Sequence, residues 1–169
     1  MKTLFVSAFL MLSFISINVS AQEESEVVTD EEIEKFAVME DSVMAFYEKK
    51  NIELIDMIRN NEVIEGAGRY NEIKAAWDDE EKLAEIEITD DEKAAYEEIL
   101  AFMGSLGDEV RELKIELIKN DEILGVATFN KVNKAMKENP EVKEKVESLQ
   151  AELKEKRTVD EDTESGTGA

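Results

Sequence analysis

From Glu31 to Asn61 the chain runs without a glycine or a proline. Apolar residues in this stretch fall at Ile33, Phe36, Met39, Val43, Phe46, Tyr47, Leu54, Ile55 and Ile58, mostly three or four apart. Side chains at that spacing share one face of an α-helix. The pattern therefore predicts one long amphipathic helix, with a bend expected, if anywhere, near Lys50-Asn51, where the stripe turns polar. Thr29-Asp30-Glu31-Glu32 stands at its start. Thr caps, Glu three residues on reaches back to the cap, and acids fill the positive first turn.

Asn60-Asn61 and Gly66-Ala67-Gly68 break the pattern. A second helix is expected from about Arg69, carrying Tyr70, Ile73, Ala76 and Trp77 and ended or kinked by Asp78-Asp79. A shorter one carries Leu83 and Ile86. Thr89-Asp90-Asp91-Glu92 then repeats the capping box, and a second long stripe follows at Tyr96, Ile99, Met103, Leu106, Val110, Leu113 and Leu117. Gly104 and Gly107 lie inside it. A glycine there costs about 1 kcal/mol against alanine, so a close helix contact is expected at that point. Asn120 and Gly125 mark the next turn. A helix with Phe129, Val132, Ala135 and Met136 follows. Asn139-Pro140 then starts a last helix bearing Val142, Val146, Leu149 and Leu153.

The two halves correspond residue by residue. Gly66 matches Gly125, Tyr70-Asn71-Glu72-Ile73 matches Phe129-Asn130-Lys131-Val132, Ala76 matches Ala135, Trp77 matches Met136 and Leu83 matches Val142, all at one offset of 59. The expected fold is all-α: a helical bundle of two tandem copies of a long-helix plus two-short-helix unit. Repeat one spans 29–88 and repeat two 89–157, and they form a single domain because neither unit can bury its own stripe. Residues 158–169, TVDEDTESGTGA, read as a disordered polar tail.

Seven glycines and one proline among 169 residues suit long helices, and 43% hydrophobic residues supply a core. Acids outnumber bases 42 to 20, for a net charge of −22. Such a surface repels phosphate backbones, so no nucleic-acid partner is expected. Basic proteins and weakly held divalent cations are electrostatically permitted. There is no cysteine and no histidine. Thiolate chemistry, disulfides and lipid attachment to cysteine are thereby excluded, and the commonest general base and zinc ligand are missing. Residues 1–21 read as a cleaved signal peptide. Lys2 leads an apolar run from Leu4 to Ile17, too short to span a bilayer, and Val19-Ser20-Ala21 supplies small residues at the cleavage point. Residues 22–28 then form an acidic leader. A periplasmic or secreted protein without a membrane anchor is expected.

Thr29-Asp30-Glu31-Glu32-Ile33 to Phe36, with Thr128-Phe129-Asn130-Lys131-Val132 to Asn139-Pro140-Glu141-Val142, resemble the bacterial domain of unknown function 4168 family over roughly residues 29–150. Asn139 stands for that family's usual Asp and Val142 for its usual Leu, and the first repeat has Asp79-Glu80 where the Asn-Pro pair would be. The resemblance implies an exported helical protein and carries no catalytic residues.

Carboxylate pairs such as Asp78-Asp79 are too common here for adjacency to mark catalysis, and no calcium loop is present. Ser42, Ser105 and Ser148 lack any activating histidine. Met39, Met44, Met57, Met103 and Met136 have the helical spacing of core filler or an adaptable groove. The candidate ligand or partner groove is Tyr70, Asn71, Trp77, Phe129 and Asn130. Its aromatics read by default as core, and its asparagines as bridges to the preceding turn. No catalytic residue, metal site or cofactor is expected. The function indicated is a non-enzymatic module that holds a protein partner or another copy of itself, with a small-ligand or cation carrier as the alternative.

Overall fold

A computed structural model describes residues 27–165. The proposed signal peptide and all but the last two residues of the leader lie outside them. Six helices follow in order: α1 (Asp30–Arg59), α2 (Ala67–Ala76), α3 (Glu80–Glu85), α4 (Asp90–Lys119), α5 (Val126–Glu138) and α6 (Pro140–Ser165). No strand occurs among the described residues. The all-α reading holds, and α1 and α4 are each 30 residues long.

The helix starts obey local chemistry. Thr29 and Thr89 each complete a full capping box with Glu32 and Glu92. Asp79 caps α3 by accepting from the Glu81 and Lys82 amides. Asn139 Oδ1 accepts from Glu141 N at 3.0 Å ahead of Pro140. α2 and α5 start differently. Gly66 and Gly125 cap them at φ +88° and +82° with no side-chain hydrogen bond.

α1 and α4 lie antiparallel, tied by Lys114 to Glu40 at 2.7 Å and Lys50 to Glu109 at 3.2 Å. Each end of this pair carries its own apolar cluster. At one end, Ile33, Phe36, Met39 and Val43 of α1 pack with Val110 and Ile118 of α4, Phe129 and Val132 of α5 and Val146 of α6. At the other, Tyr96 and Ile99 of α4 pack with Ile64 and with Tyr70 and Ile73 of α2, with Leu54, Met57 and Ile58 of α1 against them. The start of each long helix is thus covered by the short helix of the opposite half.

Three expectations are corrected. The third helix of the second half is not short: α6 runs 26 residues. It pairs Lys145 with Asp30 and Arg157 with Asp41 and Glu48, so it lies parallel to α1. α3 stops after 6 residues because the chain must turn into α4, a constraint α6 does not meet. α6 also continues to Ser165, into the segment read as a disordered tail; the first helix-breaking residue after Pro140 is Gly166, and 166–169 lie outside the described residues. Finally, Gly104 and Gly107 make no close helix contact. A Cβ on either would meet nothing within 4 Å, and both face solvent.

Candidate functional site

The five residues of the expected groove do not converge. Tyr70 and Trp77 belong to the α2–α4 cluster, where Tyr96 joins them: its ring lies 5.5 Å from Tyr70 and 4.4 Å from Trp77. Phe129 belongs to the other cluster, stacked on Phe36 at 5.7 Å with 24° between the planes. Both Tyr70 and Phe129 are buried, and Trp77 is half-buried. Tyr70 Oη contacts Met103 Sδ at 4.0 Å. Burial pushes its phenol up, and burial together with the Tyr70 and Asp78 charges pushes up that of Tyr96. Burial thus disfavours the ionised form of both phenols.

Asn71 is exposed and Asn130 half-buried, and the turn bridges lie elsewhere. Asn61 Oδ1 accepts from the amides of Val63 and Ile64 at 3.0 and 2.9 Å. Asn120 Oδ1 accepts from Glu122 N at 2.9 Å. An Asn just after a long helix and just before the buried Ile64 or Leu124 is the sequence signal for these bridges. The bridging of turn backbone expected of Asn71 and Asn130 thus falls to Asn61 and Asn120.

Sequence reasoning also missed the most buried charge. Glu92 is 8% exposed. Arg69 grips it with two hydrogen bonds, Nε to Oε1 and Nη2 to Oε2, the latter 3.0 Å, while Thr89 N donates to Oε2 at 2.8 Å. The Arg69 guanidinium holds this carboxyl down at about 2, against the opposing effect of burial, with the Thr89 contacts adding to it. Lys131 of α5 grips Glu32 in the same manner, both oxygens at 2.9 Å. For Glu32 burial raises the pKa, but the Thr29 and Lys131 hydrogen bonds outweigh it and leave it lowered. Each capping-box glutamate therefore holds its own helix start and docks a helix of the other half.

Among the described residues, two clefts can be named, both shallow and open. One of about 440 Å³ lies at Glu112, Ile115, Glu116, Lys119 and Asn120; the other, about 510 Å³, lies between α3 and Lys93. No group of three or more acids among the described residues is placed to hold a metal ion, and no helix there is long and apolar enough to cross a membrane. No family model, no curated protein and no solved structure matches this chain.

The apolar surplus lies outside the two clusters. Val38, Met44, Ile52 and Ile55 of α1, Met103 of α4 and Val63 of the following turn are each 42–55% exposed. Four of these six lie on α1, and Ile52 and Ile55 share one of its faces.

Proposed function

We propose that this chain is an exported, non-enzymatic interaction or structural module of the cell envelope. The observation that carries the reading is the exposed Ile52–Ile55 strip on α1. The clefts are shallow and open, the aromatic rings are spent on packing, and a helix face left apolar at the surface suits a macromolecular contact. The amino-terminal apolar run supports export, and a chain without histidine or cysteine is poorly furnished for catalysis.

The experiment is capture from envelope extract on the immobilised chain from Gln22 onward, beside the same chain carrying Ile52→Lys and Ile55→Lys. A species retained by the parent and lost with the variant supports the reading. Equal retention by both removes the strip as its basis. Intact-mass measurement of the exported protein should find Gln22 as its first residue; a species retaining Met1 to Ala21 removes the export claim.

A further inference from the structure

This chain has no cysteine, so no thiol competes for an oxidant and its thioethers are the groups a peroxide attacks most readily. Five of the seven methionines lie among the described residues, and the fold ranks them. Met39 is fully buried, Met57 and Met136 are half-buried, and Met44 and Met103 stand at the surface, 43% and 42% exposed. Met103 owes its exposure to the unequal halves. Its counterpart 60 residues earlier, Val43, is buried in the cluster to which α6 contributes Val146. α3 ends at Glu85 and lays no such helix along α4. Met44 and Met103 differ in one respect. Tyr70 Oη donates to Met103 Sδ at 4.0 Å, and no hydrogen bond among the described residues involves Met44. The donating ring is 7% exposed and lies 5.5 Å from that of Tyr96. A thioether sulfur is a weak acceptor for a hydroxyl held this way, whereas oxidation puts a polar oxygen on the same side chain.

We propose that Met103 is a modification site for peroxide-class oxidants, and that the Tyr70 hydroxyl holds the sulfoxide it becomes. In that step a lone pair of the Met103 sulfur takes one oxygen of hydrogen peroxide. The S–O bond forms as the O–O bond breaks, the sulfur loses two electrons to the peroxide, and the second oxygen leaves as water with both protons. A methionine side chain turns about three bonds, which lets the new oxygen swing to Tyr70 Oη. Sulfoxide formation ordinarily disrupts an apolar contact. Here it exchanges a weak hydrogen bond for a stronger one, so α2 stays tied to α4 while the oxidant is consumed. This inference goes beyond the interaction reading and does not use Ile52 or Ile55.

The test uses the chain from Gln22 onward, which holds every described residue, with Met44→Leu to remove the other exposed thioether. The folded protein is treated with hydrogen peroxide to one added oxygen per chain. Peptide mass spectrometry should find that oxygen on Met103. Urea melts then compare oxidised with reduced protein, once with Tyr70 intact and once with Tyr70→Phe, which keeps the ring and removes only the hydroxyl. Any cost of the sulfoxide unrelated to Tyr70 is common to both and cancels. The oxidised-to-reduced ratio of unfolding constants should be about three- to tenfold larger in Tyr70→Phe, the worth of one hydrogen bond. The same comparison with Met103→Leu should show no such difference. A first oxygen on Met39, Met57 or Met136 overturns the site. Equal ratios with and without the hydroxyl overturn the part given to Tyr70 and so the proposal. A difference that persists in Met103→Leu comes from another group and overturns it too.

Discussion

Phe36 of α1 stacks on Phe129 of α5 with ring centroids 5.7 Å apart, and Tyr96 of α4 meets Tyr70 of α2 at 5.5 Å. Tyr96 stands 60 residues after Phe36, and Tyr70 stands 59 before Phe129. The two contacts are one arrangement with the halves exchanged. Each ring closes an apolar cluster, so Phe36→Ala, Phe129→Ala and Tyr70→Ala should each cost about 3–5 kcal/mol in denaturant melts. A double-mutant cycle on Phe36 and Phe129 should show coupling of about 0.5–1.5 kcal/mol. Parent-like melts for Phe129→Ala or Tyr70→Ala would place those rings at the surface.

The Arg69–Glu92 pair makes stability depend on acid in a defined window. The Glu92 carboxyl titrates at about 2 in the folded chain against 4.5 unperturbed. Its contribution is therefore fully present above about 4.5 and is lost as pH falls from there through about 2. Glu92→Gln keeps a capping-box side chain but loses the ionic grip, and its stability should fall less steeply across that window. Arg69→Met leaves a buried carboxylate without its main partner and should cost roughly 1.5–3 kcal/mol at pH 7, with part of the difference from the parent vanishing near pH 2. Parallel acid profiles for parent and Glu92→Gln would show that the pair has no such role.

Asparagines separate cleanly by position. Asn61→Ala and Asn120→Ala each strip acceptors from turn amides and should cost about 0.5–2 kcal/mol. Asn71→Ala, on an exposed flank of α2, and Asn130→Ala, at a half-buried position of α5, bridge no turn amide and should stay within about 0.5 kcal/mol of the parent. Urea melts of the four variants decide this, and the reverse ranking would return the bridging role to Asn71 and Asn130.

Glycines should respond with opposite signs. Gly104→Ala and Gly107→Ala should each stabilise by about 0.5–1 kcal/mol, because a helical glycine with nothing within 4 Å carries only its entropic cost. Gly125→Ala should destabilise by about 1–3 kcal/mol, since φ is +82° and the new Cβ would lie 2.9 Å from Asp121 Oδ1. Glu65, at φ +52°, is the converse case. The first turn holds one residue more than the second between the long helix and its capping glycine, and the extra residue bends into the left-handed region. Glu65→Gly should recover about 0.5–1 kcal/mol by thermal melting.

By itself the sequence determined the elements. Thr29, Thr89, Asp79 and Asn139-Pro140 act on amides no more than three residues away, so their effect is local and can be read without knowing what packs where. The three-four spacing of Ile33, Phe36, Met39 and Val43 named the buried face for the same reason. Tertiary structure decided which face meets which. Nothing near Glu92 announces that Arg69, across a turn and a short helix, will bury it, and nothing near Phe36 points to Phe129. Those choices come from the antiparallel pairing of α1 and α4, which brings each helix start against the opposite half. The length of α6 was settled there too, because α1 offers it a flank with Asp30, Asp41 and Glu48 to meet Lys145 and Arg157, whereas α3 runs straight into the next helix start. Gly104 and Gly107 show the same limit in reverse: their spacing allows a close approach, but only a neighbouring helix could have made one, and the fold puts solvent there.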